Sequence, residues 1–344
     1  MLSSSDLVMA LKAAAEPTRL RILALLAEGE LNVKDLTRIL GQSQPRISRH
    51  LKLLAEAGLV ERSREGSWVY FRLPVAPMPA ANPLRVPETL AARLLGALAS
   101  DDAVLVRDRQ RAEAVKRERE EAAQTYFESQ AGDWDRIRVL HVEDAKVERA
   151  MRETLGAGPF EMLVDLGTGT GRILELFQDQ YRRGIGLDLN PAMLAYARTK
   201  LDRGGVGHAQ VRQGDIYDVP FDDGVAQAVI IHQILHFLVD PARAVMEAAR
   251  IVAPGGQLLI VDFAPHELEF LREAHAHERL GFSRQVVSQW LADAGLDVEK
   301  TLDLAPERSA VGDRLTVSLW LARRPGVGQI SYTTTASNVF ERTA

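Results

Sequence analysis

Met162-Leu163-Val164-Asp165-Leu166-Gly167-Thr168-Gly169-Thr170-Gly171-Arg172-Ile173-Leu174 passes from an apolar run through three alternate glycines into a second apolar run. That order reads as a strand, a tight loop and the start of a helix. Alternate glycines let the backbone turn sharply and come close to a ligand. The third glycine arrives one residue early for the Gly-x-Gly-x-x-Gly dinucleotide fingerprint, and no Gly-Lys-Ser/Thr follows as in a phosphate loop. The loop therefore argues against a pyrophosphate ligand.

Outward from this loop the strand–turn–helix alternation repeats. Residues 184–189, 210–213, 226–231 and 257–263 are further strand candidates with helical patterns between them. The alternation predicts an α/β domain with a mostly parallel sheet covered by helices on both faces. Asp188, at the end of the second strand, is placed either to accept the hydroxyl protons of a ribose or to cap a turn. Gly214-Asp215-Ile216 follows the third strand, where Asp215 either receives an adenine amino proton or makes a turn. Tyr126, Phe127 and Trp134 precede the domain, either as a cover or as ordinary helix packing.

Toward the N-terminus the character changes. Residues 1–73 hold 11 Lys+Arg and 8 Asp+Glu, a net +3. The remainder holds 31 and 39, a net −8, so the whole chain of 344 residues carries −5. A basic front part on an acidic body fits a nucleic-acid reader joined to a second function. Residues 7–26 show helical spacing, with Gly29 to end it. Asn32 caps a further helix with Asp35 in its first turn, Gly41 ends it, and a third helix begins near Ser43 with Pro45 in its first turn and Gly58 beyond its end. Residues 59–62 and 67–73 form a hairpin. This is a helix-turn-helix candidate in which Ile47, Leu51 and Leu54 make the core stripe. Gln42, Ser43, Gln44, Arg46, Ser48, Arg49, His50 and Lys52 are its candidate DNA contacts, with Arg64 on the hairpin, flanked by Arg62 and Arg72. A basic solvated face on a plain helical domain has the same composition.

Between the two parts, residues 74–89 contain five prolines and read as a semi-rigid linker. Residues 107–121 alternate in charge, as a solvated spacer helix or a dimerising coil does. Domain limits of 1–75, 76–120 and 121–324 follow, with a polar tail over 325–344. The chain has no cysteine, which excludes disulfides, thiolate metal sites and cysteine nucleophiles. No apolar run approaches the ~18 residues of a membrane helix. The opening Met1-Leu2-Ser3-Ser4-Ser5-Asp6 lacks the pattern of a secretory signal, so a cytoplasmic location is expected.

Three stretches carry a resemblance over about residues 5–75. They are Leu11-Lys12-Ala13-Ala14-Ala15-Glu16-Pro17-Thr18-Arg19-Leu20-Arg21-Ile22-Leu23, Ser43-Gln44-Pro45-Arg46-Ile47-Ser48-Arg49-His50-Leu51-Lys52-Leu53-Leu54, and Gly66-Ser67-Trp68-Val69-Tyr70-Phe71-Arg72-Leu73. Together they resemble the opening, recognition helix and wing of the ArsR family of winged-helix regulators. The resemblance implies a homodimer on a palindromic operator in double-stranded DNA. Founding members of that family sense soft metals through Cys-Val-Cys, where this chain has Asn32-Val33-Lys34, and residues 74–110 contain no histidine for the family's other metal site. No metal is expected to bind, and the signal must enter elsewhere.

Residues 120–323 resemble class I S-adenosylmethionine-dependent methyltransferases of the ubiquinone-biosynthesis-like group. The resemblance rests on the glycine loop, on Ile231-His232-Gln233-Ile234-Leu235-His236-Phe237-Leu238-Val239-Asp240-Pro241, and on Arg250-Ile251-Val252-Ala253-Pro254-Gly255-Gly256 with the strand after it. It implies a Rossmann-like domain whose last strand, over 315–321, is antiparallel. It implies that Asp165, Gly167, Thr168, Gly169, Gly171, Asp188, Leu189, Met193, Asp215, Ile216 and His232 bind the cofactor, with Gly167 and Gly169 approaching the methionine moiety, Asp165 near its amino group, Asp188 on the ribose, and Asp215 with Ile216 bordering adenine. His232, after the fourth strand, is either a general base at the methyl site or a wall of the cofactor pocket. His236 is expected to be structural, and His275 and His277 to point to different faces of a helix. The combination resembles regulators of the methionine cycle that respond to S-adenosylhomocysteine. It is expected to be a transcriptional regulator with S-adenosylmethionine or S-adenosylhomocysteine as effector, or else a small-molecule methyltransferase regulated by its own DNA-binding part.

Overall fold

The computed structural model describes residues 3–65, 68–74, 90–99, 101–132, 134, 144–306 and 315–326. Most of the linker expected over 74–89 and of the tail over 325–344 lies outside the described residues.

The N-terminal unit begins with two helices where the apolar spacing suggested one. α1 spans Ser4–Ala14 and α2 spans Pro17–Ala27. Pro17 has no N–H and its ring would strike the carbonyl four residues back, so the chain restarts there, with the Glu16 side chain accepting from Arg19 N at 2.9 Å. Ser3 and Asp6 form a capping box on α1. A two-residue strand not anticipated from the sequence, β1 (Leu31–Asn32), leads into α3 (Val33–Leu40). Asn32 and Asp35 close a capping box on α3, and Gly41 ends it at φ 64°. α4 spans Gln44–Glu56, and β2 (Glu61–Glu65) pairs antiparallel with β3 (Trp68–Arg72) as the wing. β3 also pairs with β1, giving a three-stranded sheet of order β1-β3-β2. Ile22, Leu36, Ile39, Ile47 and Leu54 are wholly buried together, at about 1.5–3 kcal/mol for each side chain.

After α5 (Leu90–Gly96) comes α6, a 28-residue helix over Ala103–Gln130. Its charge alternation suggested a solvated rod or a coil. Instead it is packed at both ends. Ala112 and Val115 sit in the core of the winged unit, and Phe127 sits in a cluster with Met193 and Phe237 of the C-terminal unit. Its charges are matched to partners: Asp108, 1% exposed, receives a two-pronged contact from Arg21 at 2.5 and 2.8 Å.

The C-terminal unit is a seven-stranded sheet of order β6-β5-β4-β7-β8-β10-β9. The strands are β4 (Phe160–Leu166), β5 (Tyr181–Asp188), β6 (Ala209–Gln213), β7 (Ala226–His232), β8 (Val252–Phe263), β9 (Asp297–Leu304) and β10 (Val317–Arg323). Strands β4 to β8 are parallel, and β10 runs antiparallel to both β8 and β9. The edge strand β9 was missed because its outward residues are polar and exposed, which leaves little periodic signal. Alternate residues of each strand enter opposite cores. Leu163, Ile230 and Leu259 pack under α7 (Asp144–Leu155), α8 (Arg172–Leu176) and α9 (Pro191–Arg203). Val164, Ile231 and Ile260 pack under α10 (Pro241–Ile251) and α12 (Arg284–Asp293). Between these last two lies the short α11 (Phe270–Ala274).

The two units meet along α6, the wing and the segment before α12. Arg119 of α6 bonds both Asp35 of α3 and Glu278, the latter at 2.8 Å. The guanidinium of Arg272 lies 4.1 Å over Trp68, and that of Arg279 lies 3.9 Å over Tyr70 while pairing with Glu30 at 2.9 Å. Tyr70 Oη donates to Glu278 O at 3.2 Å.

Candidate functional site

Successive strands are added outward on one side of β4 and then, from β7, on the other, and open α/β sheets bind ligands at such a switch point, beyond the strands' carboxyl ends. A cavity of about 1200 Å³ including its mouth lies there. The glycine loop forms its floor. Gly167 N and Thr168 N both donate to Leu187 O, at 2.8 and 2.9 Å, which ties the loop to β5. Gly167 has φ 74°, and a Cβ on it would come within 2.8 Å of Ile234 Cγ1, so only glycine fits. Asp188 ends β5 inside the cavity. Its Oδ2 accepts from Gly169 N at 2.8 Å and its Oδ1 from Asn190 N at 2.8 Å. An ionised carboxylate has acceptor capacity beyond these two bonds. Burial raises the Asp188 pKa against the lowering effect of these backbone bonds.

Gly167, Thr168, Gly169, Asp188, Leu189, Met193, Asp215, Ile216 and His232 all line this cavity. Asp215 also accepts from Tyr217 N at 2.9 Å, so it makes the turn and faces the cavity at once. Phe127 and Trp134 close the cavity from α6 and just beyond it, in edge contact with each other and with Phe237. Two of the expected residues stand behind the wall. Gly171 caps α8 at φ 80°, against Ala197. Asp165 is 1% exposed, accepts from Thr168 Oγ1 at 2.5 Å, and does not line the cavity. Burial pushes its pKa up to about 7, aided by the Asp188 charge and opposed by the Thr168 hydroxyl.

A second, smaller cavity of about 440 Å³ shares Trp134, Gln233 and Phe237 with the first. His236, expected to be structural, is 2% exposed in the wall of this cavity, with its Nδ1 2.7 Å from Asp262 Oδ1. The placement of the next two histidines on different faces of a helix is corrected. His275 and His277 line the same cavity, because α11 ends at Ala274 and Ala276 takes φ 55° between them. Tyr126 belongs to this cavity rather than the first, with its Oη 2.9 Å from His275 Nδ1. Asp262 was not singled out at all. It is the last residue but one of β8 and meets His236 only because β8 is the neighbour of β7, a pairing no local pattern reports. Among the described residues no group of three or more His, Asp or Glu could hold a metal ion.

On the winged unit, Ser43, Gln44, Arg46, Ser48, Arg49 and Lys52 are exposed on α4, and Arg64 is exposed on the wing. His50 is a correction: it is turned inward beside Ile47 and Leu51, with Nδ1 3.7 Å from Glu16, and cannot reach a base edge. Burial lowers its pKa. Gln42 is also held back, its amide donating to Thr18 Oγ1 at 3.2 Å. Lys34 is exposed and Asn32 is spent on its capping box, which leaves no ligand set at the start of α3.

The described parts of the chain are similar to two kinds of known protein. Residues 164–260 match the family described as methyltransferase domain, and residues 16–62 match bacterial regulatory protein, arsR family. The arsenical resistance operon repressor of Escherichia coli K12 is 56% identical over 63 residues, which is 18% of this chain and 54% of that protein. The ubiquinone/menaquinone biosynthesis C-methyltransferase of Vibrio cholerae O395 is 32% identical over 124 residues, 35% of this chain and 48% of that protein. The chain thus spans about half the length of each of these curated relatives. A chain from the complex of the Haloferax volcanii Trm112 methyltransferase activator with a methyltransferase superposes with a TM-score of 0.50 at 25% identity, covering 58% of this chain and 97% of that one.

Proposed function

This chain joins an arsR-family helix-turn-helix domain to a class I methyltransferase domain, and on that premise we propose that it is a DNA-binding transcriptional regulator whose second domain holds S-adenosylmethionine or S-adenosylhomocysteine as its effector. The observation that carries this reading is α6, one helix that contributes Ala112 and Val115 to the core of the DNA-binding domain and Phe127 to the wall of the larger cavity. The cavity's residues fit the ligand. Asp188 offers its remaining acceptor capacity to the ribose hydroxyls, Ile216 and Leu189 flank adenine, and the loop at Gly167 and Gly169 leaves room for the amino-acid end. A ligand that orders Phe127 and Trp134 differently in two states of the protein biases α6 between them. Differential affinity of that kind supplies the about 1–3 kcal/mol of a typical coupling, a 5- to 150-fold change in DNA affinity.

Residues 1–75 are taken as the winged-helix domain, 76–120 as a linker and helix, and 121–324 as the methyltransferase domain, with α6 running across the second limit. A homodimer on a palindromic operator is supported by α1, where the neighbouring Leu7 and Leu11 are 39 and 42% exposed. Cytoplasmic location accords with the absence, among the described residues, of a helix long and apolar enough to cross a membrane. Arg46 and Arg49 read guanines or phosphates from the N-terminal half of α4, with Arg64 on the backbone beside the wing.

The decisive experiment is a titration of full-length protein on DNA selected from a random pool, at fixed salt, with each ligand in turn. A change of fivefold or more with one ligand is expected, and equal affinity with both ligands and with neither overturns the sensor. A second reading, a small-molecule methyltransferase with an autoregulatory DNA-binding domain, is favoured by the second cavity beside the first. In that case the sulfonium supplies an activated methyl group, and the chain has only to orient the acceptor and exclude water. His232 walls the larger cavity and stands as the base nearest the glycine loop, tested by His232→Ala in a methyl-transfer assay.

A further inference from the structure

We infer that the smaller cavity is a second ligand site, which takes a compact aromatic alcohol and holds it as its oxyanion. Its walls are flat and apolar: Phe237, Phe263, Leu271 and Leu315 face one another across a space suited to a planar ring. Two polar groups reach that space from the segment that follows β7, and each has its remaining bonding capacity defined.

The first is Gln233. It is only 5% exposed, its Nε2 has no hydrogen-bond partner, and its backbone sits at φ 53°, where a residue with a Cβ is strained. An unmet buried amide and a left-handed glutamine are each costly, and such residues persist where function holds them. Gln233 stands at the wall common to both cavities. A ligand oxygen would satisfy its amide.

The second is His236. Asp262 is fully buried and accepts at Oδ1 from Phe263 N at 2.7 Å and at Oδ2 from His236 N at 3.3 Å. A carboxylate only accepts, so the imidazole Nδ1 facing it carries the proton, and Nε2 is left with a lone pair. The occupant must therefore accept from Gln233 and donate to His236. One hydroxyl does both, whereas a carboxylate donates nothing and an ammonium accepts nothing. On transfer the O–H bond breaks, the proton joins His236 Nε2, and the resulting imidazolium is neutralised by Asp262. An aromatic alcohol is the class acidic enough for this step and flat enough for the walls. Of the other titratable neighbours, His275 is engaged with Tyr126, His277 is stacked on Phe263, and burial lowers the His266 pKa to about 4.

The inference rests on the methyltransferase-domain reading only in so far as the larger cavity is taken for the cofactor's. The test is a titration of full-length protein with 4-nitrophenol below that phenol's own pKa, with and without saturating S-adenosylhomocysteine, followed by the visible band of the phenolate. Saturable appearance of the band in either state is expected. His236→Gln should bind without the band. Gln233→Gly, which the positive φ tolerates, should weaken binding at least tenfold. Absence of the band in both states of the wild type overturns the site, as does an unchanged band in His236→Gln or unchanged affinity in Gln233→Gly. Calorimetry with S-adenosylhomocysteine on the same samples reads the larger cavity separately, so its failure overturns the cofactor reading and not this one.

Discussion

At Asp188 two backbone amides, from Gly169 and Asn190, hold a carboxylate in a cavity wall with acceptor capacity beyond these two bonds. Asp188→Ala removes two charge-assisted contacts to a ribose, together about 3 kcal/mol or more. S-adenosylhomocysteine affinity should fall about 100-fold or more by calorimetry, while DNA affinity without ligand stays as it was. Asp165 predicts a pH effect. Unfolded, it titrates near 3.8, and folded, burial holds it near 7. Between these values the unfolded chain releases a proton that the folded chain keeps, so Asp165 contributes stability below pH 3.8 that is lost as pH rises toward 7. The slope from this one group reaches at most about 1.4 kcal/mol per pH unit. Asp165→Asn, which keeps an oxygen for the Thr168 hydroxyl, should flatten the decline of Tm between pH 4 and 7. A parallel pair of Tm curves would show that Asp165 is not the group responsible. Both aspartates were legible as site residues from the glycine loop and the strand ends. That one lines the cavity and the other stands behind it was not, because the difference is which way a side chain turns from its strand.

At the scale of elements, α4 divides its residues by the helical period. Ile47, His50, Leu51 and Leu54 face inward, and Arg46, Arg49 and Lys52 face out. Arg49→Ala should weaken DNA binding about 10-fold and lower the salt slope of log K by about 1, with ligand affinity unchanged. His50→Ala should instead lower Tm and leave that slope alone, since the ring lies inside against Glu16. An equal fall in salt slope for both variants would contradict the inward placement. The apolar stripe of α4 could be read from its period. The place of His50 could not, because histidine suits either a core or a phosphate contact. β9 and the restart at Pro17 show the same limit. Where an element's residues are polar, or one proline interrupts a good period, local pattern misleads and packing decides.

For the molecule as a whole, the docking of the two domains is concentrated on Arg119, which bridges Asp35 at the start of α3 and Glu278 near the second cavity. Burial raises the Glu278 pKa, while Arg119 and the guanidiniums of Arg279 and Arg272 pull it down. Glu278 N and Arg279 N both donate to His236 O at 2.9 Å, so the bridge is continuous with the cavity wall. Arg119→Ala leaves the buried Asp35 carboxylate without its cation, while Glu278 keeps Arg272 and Arg279 nearby, at a cost of about 3 kcal/mol. It should lower Tm and abolish the effect of ligand on DNA affinity while each binding activity survives alone. Retention of the full ligand effect would move the coupling to another path, with the Phe127 end of α6 the next to test.

The sequence by itself determined the two domain types and their order. It also fixed the glycine loop, the acid at the second strand's end and the basic helix, because each is a local pattern whose physics is complete within a dozen residues. That the chain has no cysteine is likewise read from the sequence alone. Only the tertiary structure decided that α6 is a shared spine, that His236 meets Asp262, that Gln233 is held strained between two cavities, and that His50 is interior. Each of these depends on a contact between residues distant in sequence. Their burial and pairing are set by strand order and domain docking, which no single segment encodes.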